Sequence, residues 1–203
     1  MKKSLGYEIF MTALVLVIIA GVAGALLGLV NHFTKVNAEE LIARKATAVY
    51  DGKLVRYVSP EGFASNVEYD HADVIDVYVA ERKPNETKPK DVYVLVVEGE
   101  GAYKGTLRLL VNITDGKIEK IAKYEANETP GLGSKALEDN YFKQYCGKVI
   151  TPDFKGFTLV KGETKAPDDV SAVSGASKSS TAVTHAVNAA VKWYQSRIKG
   201  VAR

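Results

Sequence analysis

Hydrophobic positions divide the chain into an apolar N-terminal run and a longer part with patterned segments. Ile9 to Val30 is a run of 22 residues without a charge, which as a helix would extend about 33 Å and cross a bilayer. Lys2 and Lys3 precede it, so the positive-inside rule predicts a cytoplasmic N-terminus and an extracytoplasmic remainder. We favour an uncleaved anchor over a cleaved signal peptide, whose apolar region is normally shorter, about 7 to 15 residues.

After this run the pattern changes. Residues 37–49 predict a helix that begins at polar residues and acts as a stalk or first domain helix. Period-two alternation then predicts strands at Leu54 to Val58, Ala72 to Ala80 and Val92 to Val97. The last of these is apolar on both faces, which predicts a central strand.

The second half of the chain predicts a hairpin and further helices. Thr106 to Ile113 and Lys117 to Tyr124 flank Asp115-Gly116, a dipeptide suited to a type I′ turn. A helix over Ser134 to Tyr145 and a short strand over Phe157 to Val160 follow. The final helix has one apolar face at three- and four-residue spacing, formed by Val183, Val187, Val191, Tyr194 and Ile198.

Composition excludes several classes of function. The 203 residues suffice for one domain and an anchor, and the net charge of +3, with no basic cluster among aromatics, argues against nucleic-acid binding. The single Cys146 excludes an internal disulfide and any multi-cysteine iron–sulfur or zinc site of this chain alone. We interpret it as a small core residue in the predicted helix. The three histidines are scattered and supply no metal site.

The most informative stretch is Val173 to Val183, V-S-G-A-S-K-S-S-T-A-V, at the start of the final helix. Unpaired amide groups and the helix dipole favour an anion there, and Gly175 permits a close backbone approach. The residue types alone fit both a phosphate site and a hydroxyl-rich helix cap without a ligand. The hydroxyl residues are Ser174, Ser177, Ser179, Ser180 and Thr181.

The sequence S-G-A-S-K-S-S resembles the S-G-A-T-x-[ST]-S signature of the FMN-binding domain in the G subunit of Rnf electron-transport complexes, which is similar to the C subunit of the sodium-pumping NADH:quinone reductase. The resemblance implies that Ser177 carries FMN through a phosphoester bond. Serine here replaces the usual threonine. Ser171 stands where that family usually has an aspartate, and Asp168 and Asp169 come slightly too early.

A second motif, E-T-P-G-L-G from Glu128 to Gly133, precedes this stretch by some forty residues. Gly131, Gly133 and Ala136 also fit the dinucleotide-binding pattern G-x-G-x-x-A, which must follow a strand directly and open a βαβ unit. We reject this interpretation, because Asn127 to Pro130 separates the glycines from the strand and the hairpin predicts antiparallel pairing. The motif instead resembles a second hallmark of the same family, although a plain turn remains the alternative. A glycine-rich turn around Tyr103, G-E-G-A-Y-K-G, is similar to a Gly-Tyr-x-Gly turn of that family.

This second motif should form a stiff loop that exposes its amide groups, because Pro130 fixes one dihedral angle and the glycines permit unusual ones. The resemblance implies that Thr129 offers a hydrogen bond and Leu132 an apolar contact to the isoalloxazine, while Glu128 orients the loop. We predict no catalytic residue and no metal ligand. The predicted FMN-binding residues are Ser177 as the attachment point, with Ser174, Gly175, Ala176, Lys178, Ser179, Ser180, Glu128, Thr129, Gly131, Leu132 and Gly133.

The resemblance implies an α+β fold with antiparallel strands flanked by helices, and the predicted elements agree with it. The expected division is a cytoplasmic N-terminus at 1–8, a transmembrane helix at 9–30, a stalk at 31–50 and an extracytoplasmic FMN-binding domain at 51–203. The chain would thus be a single-pass protein of the cell membrane, in contact with lipid.

The implied function is electron relay by covalently bound FMN within an ion-translocating ferredoxin:NAD oxidoreductase of the Rnf type. Implied partners are membrane subunits with flavin and iron–sulfur groups, and a flavin transferase that loads Ser177 from FAD. This chain alone would catalyse no complete turnover. The alternatives are a flavin-binding sensory or accessory module and the equivalent quinone-reductase subunit. A serine hydrolase is disfavoured, because neither G-x-S-x-G nor S-x-x-K surrounds Ser177.

Overall fold

The computed structural model describes residues 5–33, 42, 44–57, 67–81 and 91–201. The chain divides into two compact units, residues 1–41 and 42–203. The first unit contains one long helix, α1 (Leu5–Phe33), which includes the predicted apolar run. Its segment Ile9–Asn31 has a mean hydropathy of 2.8 and is long and apolar enough to cross a membrane. The side chains described in this segment are exposed.

The second unit is built on an antiparallel sheet, so the structure has the expected α+β architecture. The strands follow the order β1-β3-β4-β5-β6, and β2 also pairs with β3. As predicted, β4 is central. The strands are β1 (Leu54–Arg56), β2 (Val67–Tyr69), β3 (Ala72–Ala80), β4 (Val92–Ala102), β5 (Gly105–Thr114) and β6 (Lys117–Ala126).

Strand β4 is buried on both faces because its alternate side chains enter two different cores. Tyr93, Leu95 and Val97 belong to the larger hydrophobic cluster. Val94 and Val96 belong to a smaller cluster behind the sheet. Residues 92–97 of β4 are apolar on both faces because both sides of the sheet are covered there.

The larger core lies under the C-terminal helix, α3 (Ser177–Val201). The predicted face of this helix is confirmed for Val183, Val187, Val191 and Tyr194, which are buried. The side chain of Ile198 lies outside the described side chains. At Gly99 of β4 a Cβ would stand 2.1 Å from the carbonyl oxygen of Ala182, so the absence of a side chain lets α3 lie directly on the sheet.

The smaller core is covered by the described part of residues 42–50, where Ala46 and Val49 are buried. The amide of Asn112 on β5 donates a hydrogen bond of 2.8 Å to the carbonyl oxygen of Val49. Residues 44–46 are helical and residues 47–49 form a turn. The rest of the predicted helix over residues 37–49 lies outside the described residues, apart from residue 42.

Two tight turns connect the long strands. The turn between β5 and β6 has positive φ at Asp115 (49°) and Gly116 (78°), as the predicted type I′ geometry requires. The turn between β4 and β5 has positive φ at Gly101 (85°) and Gly105 (109°). This second turn leaves Tyr103 at the hairpin tip with 68% of its surface exposed.

The predicted helix from Ser134 to Tyr145 is wrong as a continuous element. A 3₁₀ helix, η1 (Gly133–Leu137), is followed by a short α-helix, α2 (Asp139–Phe142). Glu138 between them is extended, with φ −89° and ψ 149°. The break lets the apolar residues of both pieces enter one core. Cys146 lies in the turn that follows, half-buried against that core.

A small parallel pair of strands completes the unit. Strand β7 (Thr158–Val160) confirms the predicted strand to within one residue, and it pairs with β8 (Asp169–Ser171). Neither β8 nor β2 is predicted by the sequence, because three residues are too few for a pattern of alternation.

Candidate functional site

The two glycine-containing motifs lie together and form one cavity of about 460 Å³, here called the main cavity. This volume is within the usual range for sites of small molecules and cofactors. The loops that follow β6 and β8 supply most of its wall, and the β4–β5 hairpin tip supplies the remainder. The residues that line it are Tyr103, Glu128, Thr129, Leu132, Gly133, Gly175, Ala176, Ser177, Lys178 and Ser179.

The S-G-A-S-K-S-S loop is closed by its own hydrogen bonds. The amide of Ala176 donates a hydrogen bond to the carbonyl oxygen of Val173 at 2.9 Å. The amide of Ser180 donates to the carbonyl oxygen of Ala176, also at 2.9 Å. The buried hydroxyl of Ser180 accepts from the amide of Val173 at 3.0 Å. Gly175 turns the chain with φ 77°. The conformation of the loop is therefore held by contacts within the chain.

Ser177 is the first residue of α3, and its side chain is exposed at the wall of the main cavity. The first turn of a helix presents amide groups without intrahelical partners and partial positive charge. That turn contains no acidic residue. Lys178, also exposed, adds a positive charge. An alcohol oxygen is thus placed where the phosphate of a ligand is favoured.

The E-T-P-G-L-G loop is closed by hydrogen bonds around Thr129 and Gly131. The amide of Gly131 donates to the hydroxyl of Ser134 at 2.9 Å. The carbonyl oxygen of Thr129 accepts from the amides of Leu132 at 3.2 Å and Ser134 at 3.3 Å. Leu132 keeps 52% of its surface exposed. The loop therefore offers an apolar side chain to a flat ligand.

A single side-chain pair joins the two loops. The hydroxyl of Ser179 donates to Oε2 of Glu128 at 2.8 Å. The other carboxylate oxygen of Glu128, Oε1, is buried and has no hydrogen-bond partner among the described residues. A Cβ at Gly133 would stand 1.9 Å from Oε2 of Glu128, so the carboxylate occupies space that any other residue at 133 would fill.

Nine of the twelve residues predicted to bind FMN line the main cavity, and three do not. Ser180 is buried and closes its loop, while Ser174 and Gly131 are exposed outside the lining. Tyr103 lines the cavity, but the prediction did not include it among the FMN-binding residues. Its position among the glycines of the predicted G-E-G-A-Y-K-G turn is the sequence feature that could have identified Tyr103 as a site residue.

A second cavity, also of about 460 Å³, lies on another side of Ser177 and is lined in part by Thr181, His185 and Asn188. The ring of His185 stacks on that of His71, with centroids 5.2 Å apart and planes at 20°. Burial, followed by the proximity of His71 and Lys192, lowers the pKa of His185, and Asp70 opposes this.

The three positions near the expected aspartate have other partners. The hydroxyl of Ser171 donates to the carbonyl oxygen of Gly162 at 2.6 Å. Oδ2 of Asp169 accepts from the amide of Ala166 at 2.8 Å. Asp168 pairs with Lys148. None of these three side chains is among the residues described at the main cavity.

Comparison with known proteins agrees with this geometry. Residues 102–192 match the FMN-binding domain family, and this range contains all the residues that line the main cavity. The G subunit of the Na(+)-translocating ferredoxin:NAD(+) oxidoreductase complex of Acetobacterium woodii is 29% identical over 204 residues, which cover 94% of each chain. An alignment of this coverage includes at least part of the 29-residue N-terminal apolar helix.

Two further relatives match a shorter region. The G subunit of the proton-translocating ferredoxin:NAD(+) oxidoreductase complex of Clostridium ljungdahlii is 35% identical over 57% of this chain and 58% of its own. The C subunit of the Na(+)-translocating NADH-quinone reductase of Yersinia pestis is 28% identical over 58% of this chain and 45% of its own. Residues 102–192 therefore resemble an FMN-binding domain, and the expected resemblance of the chain to the G subunits of Rnf-type complexes is confirmed.

Proposed function

We propose that this chain is a membrane-anchored flavoprotein subunit that carries FMN on Ser177 and relays electrons within an ion-translocating ferredoxin:NAD oxidoreductase of the Rnf type. The observation that carries the proposal is the main cavity, which combines an exposed serine hydroxyl at a helix N-terminus with a loop containing an exposed leucine. Similarity to a G subunit over 94% of both chains supports the complex.

The residues present fit FMN. The start of α3 and Lys178 favour the phosphate, and Ser177 supplies the oxygen for a phosphoester. The missing side chain at Gly133 makes room for the Glu128 carboxylate in the cavity wall. Leu132 and Tyr103 offer apolar surface to the ring system. When bound, FMN supplies the redox chemistry, because its ring accepts one or two electrons.

The chain itself contributes attachment and position. Loading from FAD would join Oγ of Ser177 to the FMN phosphorus, with loss of the serine proton, cleavage of the pyrophosphate bond and AMP as the leaving group. A separate flavin transferase would catalyse this step. The closed loop around Gly175 keeps the hydroxyl at the cavity wall. A covalent bond to this hydroxyl would prevent the cofactor from diffusing away. No complete reaction is assigned to this chain alone.

The proposed topology places the N-terminus in the cytoplasm and the FMN-binding domain outside. Lys2 and Lys3 precede the apolar helix, which supports this orientation by the positive-inside rule. The division of the chain into a short cytoplasmic segment, an anchor, a stalk and a domain from residue 51 belongs to the same proposal. Partners would be sister membrane subunits that carry flavin and iron–sulfur groups, with lipid around the anchor.

The intact mass of the full chain from its own host, followed by fragmentation of the peptide that contains Ser177, tests the proposal. An FMN-sized adduct on Ser177 is the expected result. An unmodified mass in a host with an active flavin transferase would overturn covalent attachment. The equivalent quinone-reductase subunit is the second candidate, since the C subunit of that enzyme matches 58% of this chain. The activity of the complex that purifies with this chain distinguishes the two candidates: ferredoxin:NAD oxidoreductase activity is expected for the first and NADH:quinone reductase activity for the second.

A further inference from the structure

Among the residues described as lining the main cavity, Glu128 is the one with a carboxylate. The chain holds this side chain in one position. Oε2 accepts the hydroxyl hydrogen of Ser179 at 2.8 Å, and Gly133 leaves the space into which the carboxylate fits. The negative charge is thus fixed in the cavity wall, where Ser179 lies in the first turn of α3 together with Ser177 and Lys178.

A role in joining the two loops does not by itself account for this charge. Burying a carboxylate oxygen without a partner is costly, and Oε1 is buried without one among the described residues. A neutral amide at position 128 would still accept the hydrogen bond from Ser179 and would join the loops at lower cost. The positive end of α3 offsets part of this cost. The feature that remains to be explained is the negative charge beside the cavity.

We infer that the Glu128 carboxylate lowers the reduction potential of the flavin bound in the main cavity. This inference rests on the proposed function, since it requires FMN at this site. Each electron that enters the ring adds negative charge, and a fixed carboxylate in the cavity wall disfavours the reduced form. Burial strengthens the effect, because charges interact more strongly where water is excluded. Glu128 acts on the flavin through its charge and takes no part in electron transfer itself.

The test compares the reduction potentials of full-length, FMN-loaded variants by spectroelectrochemical titration. Glu128→Gln removes the charge but keeps an acceptor for Ser179, whereas Ser179→Ala keeps the charge and removes the hydrogen bond between the loops. Glu125→Gln is the matched control, because that carboxylate is three residues away, is 67% exposed and pairs with Arg108 on the sheet. Water and salt screen such an exposed charge.

We expect Glu128→Gln to shift the reduction potential of the flavin in the positive direction. At a fixed electrode potential, the ratio of reduced to oxidised flavin should rise at least tenfold. For a two-electron couple this change corresponds to about 30 mV. We expect no positive shift in Ser179→Ala or Glu125→Gln. An unshifted Glu128→Gln, or an equal shift in Ser179→Ala, would overturn the inference.

The wild-type protein separates this inference from the proposed function. A flavin-loaded wild-type chain with an unshifted Glu128→Gln variant leaves the proposed function standing and overturns only the role of Glu128. A wild-type chain that binds no flavin after expression with a flavin transferase overturns both. Near-ultraviolet circular dichroism of each variant confirms that the potentials compared belong to folded proteins.

Discussion

The two loops that meet at the main cavity are fixed in different ways. The loop before α3 is closed by backbone hydrogen bonds and by the buried hydroxyl of Ser180, and it leads into a helix packed on the sheet. The loop after β6 is closed by two longer bonds to the carbonyl oxygen of Thr129, at 3.2 and 3.3 Å. It reaches the other loop through Glu128 and Ser179. Under the proposed function, the first loop attaches the flavin and the second contacts its ring; they are called here the attachment loop and the contact loop.

This difference predicts which substitutions abolish function and which alter it. Substitutions in the attachment loop should act on the covalent bond or on the stability of the fold. Substitutions in the contact loop should act on the shape of the cavity. The variants below test this division, beginning with the largest expected effect.

Ser177→Ala should abolish covalent flavin completely, because it removes the only atom proposed to bond to phosphorus. The fold should be unaffected, since the side chain is exposed. Flavin fluorescence of the denatured protein on a gel measures the attachment. Ser174→Ala is the control, because it removes another exposed hydroxyl from the same loop and should retain the flavin. Denaturation-resistant flavin in Ser177→Ala would contradict the assignment, and Ser177→Thr should restore labelling.

Gly133→Ala should lower the free energy of unfolding by about 3 kcal/mol, at the upper end for added atoms in a packed site. Its Cβ would stand 1.9 Å from Oε2 of Glu128 and 2.8 Å from Oγ of Ser179, so the contact between the loops would break. Gly131→Ala is the comparison. That site has open space and only a positive φ of 76°, so its cost should be about 1 kcal/mol.

Urea unfolding of the detergent-solubilised chain measures both glycine variants, with fluorescence of the single, buried Trp193 as the probe. Equal effects of the two substitutions would show that conformation rather than the Glu128 contact matters at position 133. Non-covalent FMN binding by the same variants, in a Ser177→Ala background, should weaken more for Gly133→Ala.

Ser180→Ala should destabilise the domain by about 2 kcal/mol, because it leaves the amide of Val173 without its acceptor in a half-buried loop. The same urea titration measures this loss, and the rate of flavin loading by a transferase should fall as the loop becomes less ordered. Ser174→Ala, at an exposed position outside the cavity lining, should change stability by less than about 0.5 kcal/mol. Destabilisation by both variants to the same extent would refute the role of Ser180.

The smallest effect is expected from pH and His185, two turns along α3 from Ser177. Its pKa is lowered in the folded protein by burial and by His71 and Lys192, against the opposing effect of Asp70. The unfolded chain therefore binds the proton more readily, and stability should fall as the pH drops below about 6.5. His185→Gln should lose less stability than the wild type between pH 8 and pH 5. An identical loss in both proteins would exclude His185 as the cause.

The continuous elements of the fold were predictable where a pattern was long. The apolar helix, strands β3 to β6 and the buried face of α3 each contain enough residues for their period to be read. The helix predicted from Ser134 to Tyr145 was wrong as one element. The backbone is extended at Glu138, and apolar residues of both short pieces, such as Leu137 and Phe142, are buried in one core, a tertiary contact that local sequence does not encode.

The candidate site was predictable in its parts but not in its assembly. The glycines and hydroxyl residues identified two loops, and the spacing to α3 placed Ser177 at a helix start. The inclusion of Tyr103 required the hairpin to bring its tip to the cavity. The roles of neighbouring serines also required coordinates, since Ser179 contacts the other loop while Ser180 closes its own.

The sequence by itself determined the apolar helix, the central strand and the chemistry of the two motifs, because these follow from residue types over short distances. Only the tertiary structure decided that the motifs share one cavity, that Glu128 is fixed against Ser179 and that Tyr103 completes the wall. Those contacts join residues about 25 to 75 positions apart in sequence. They form because the antiparallel sheet and α3 pack into one core, and local sequence patterns do not encode such distances.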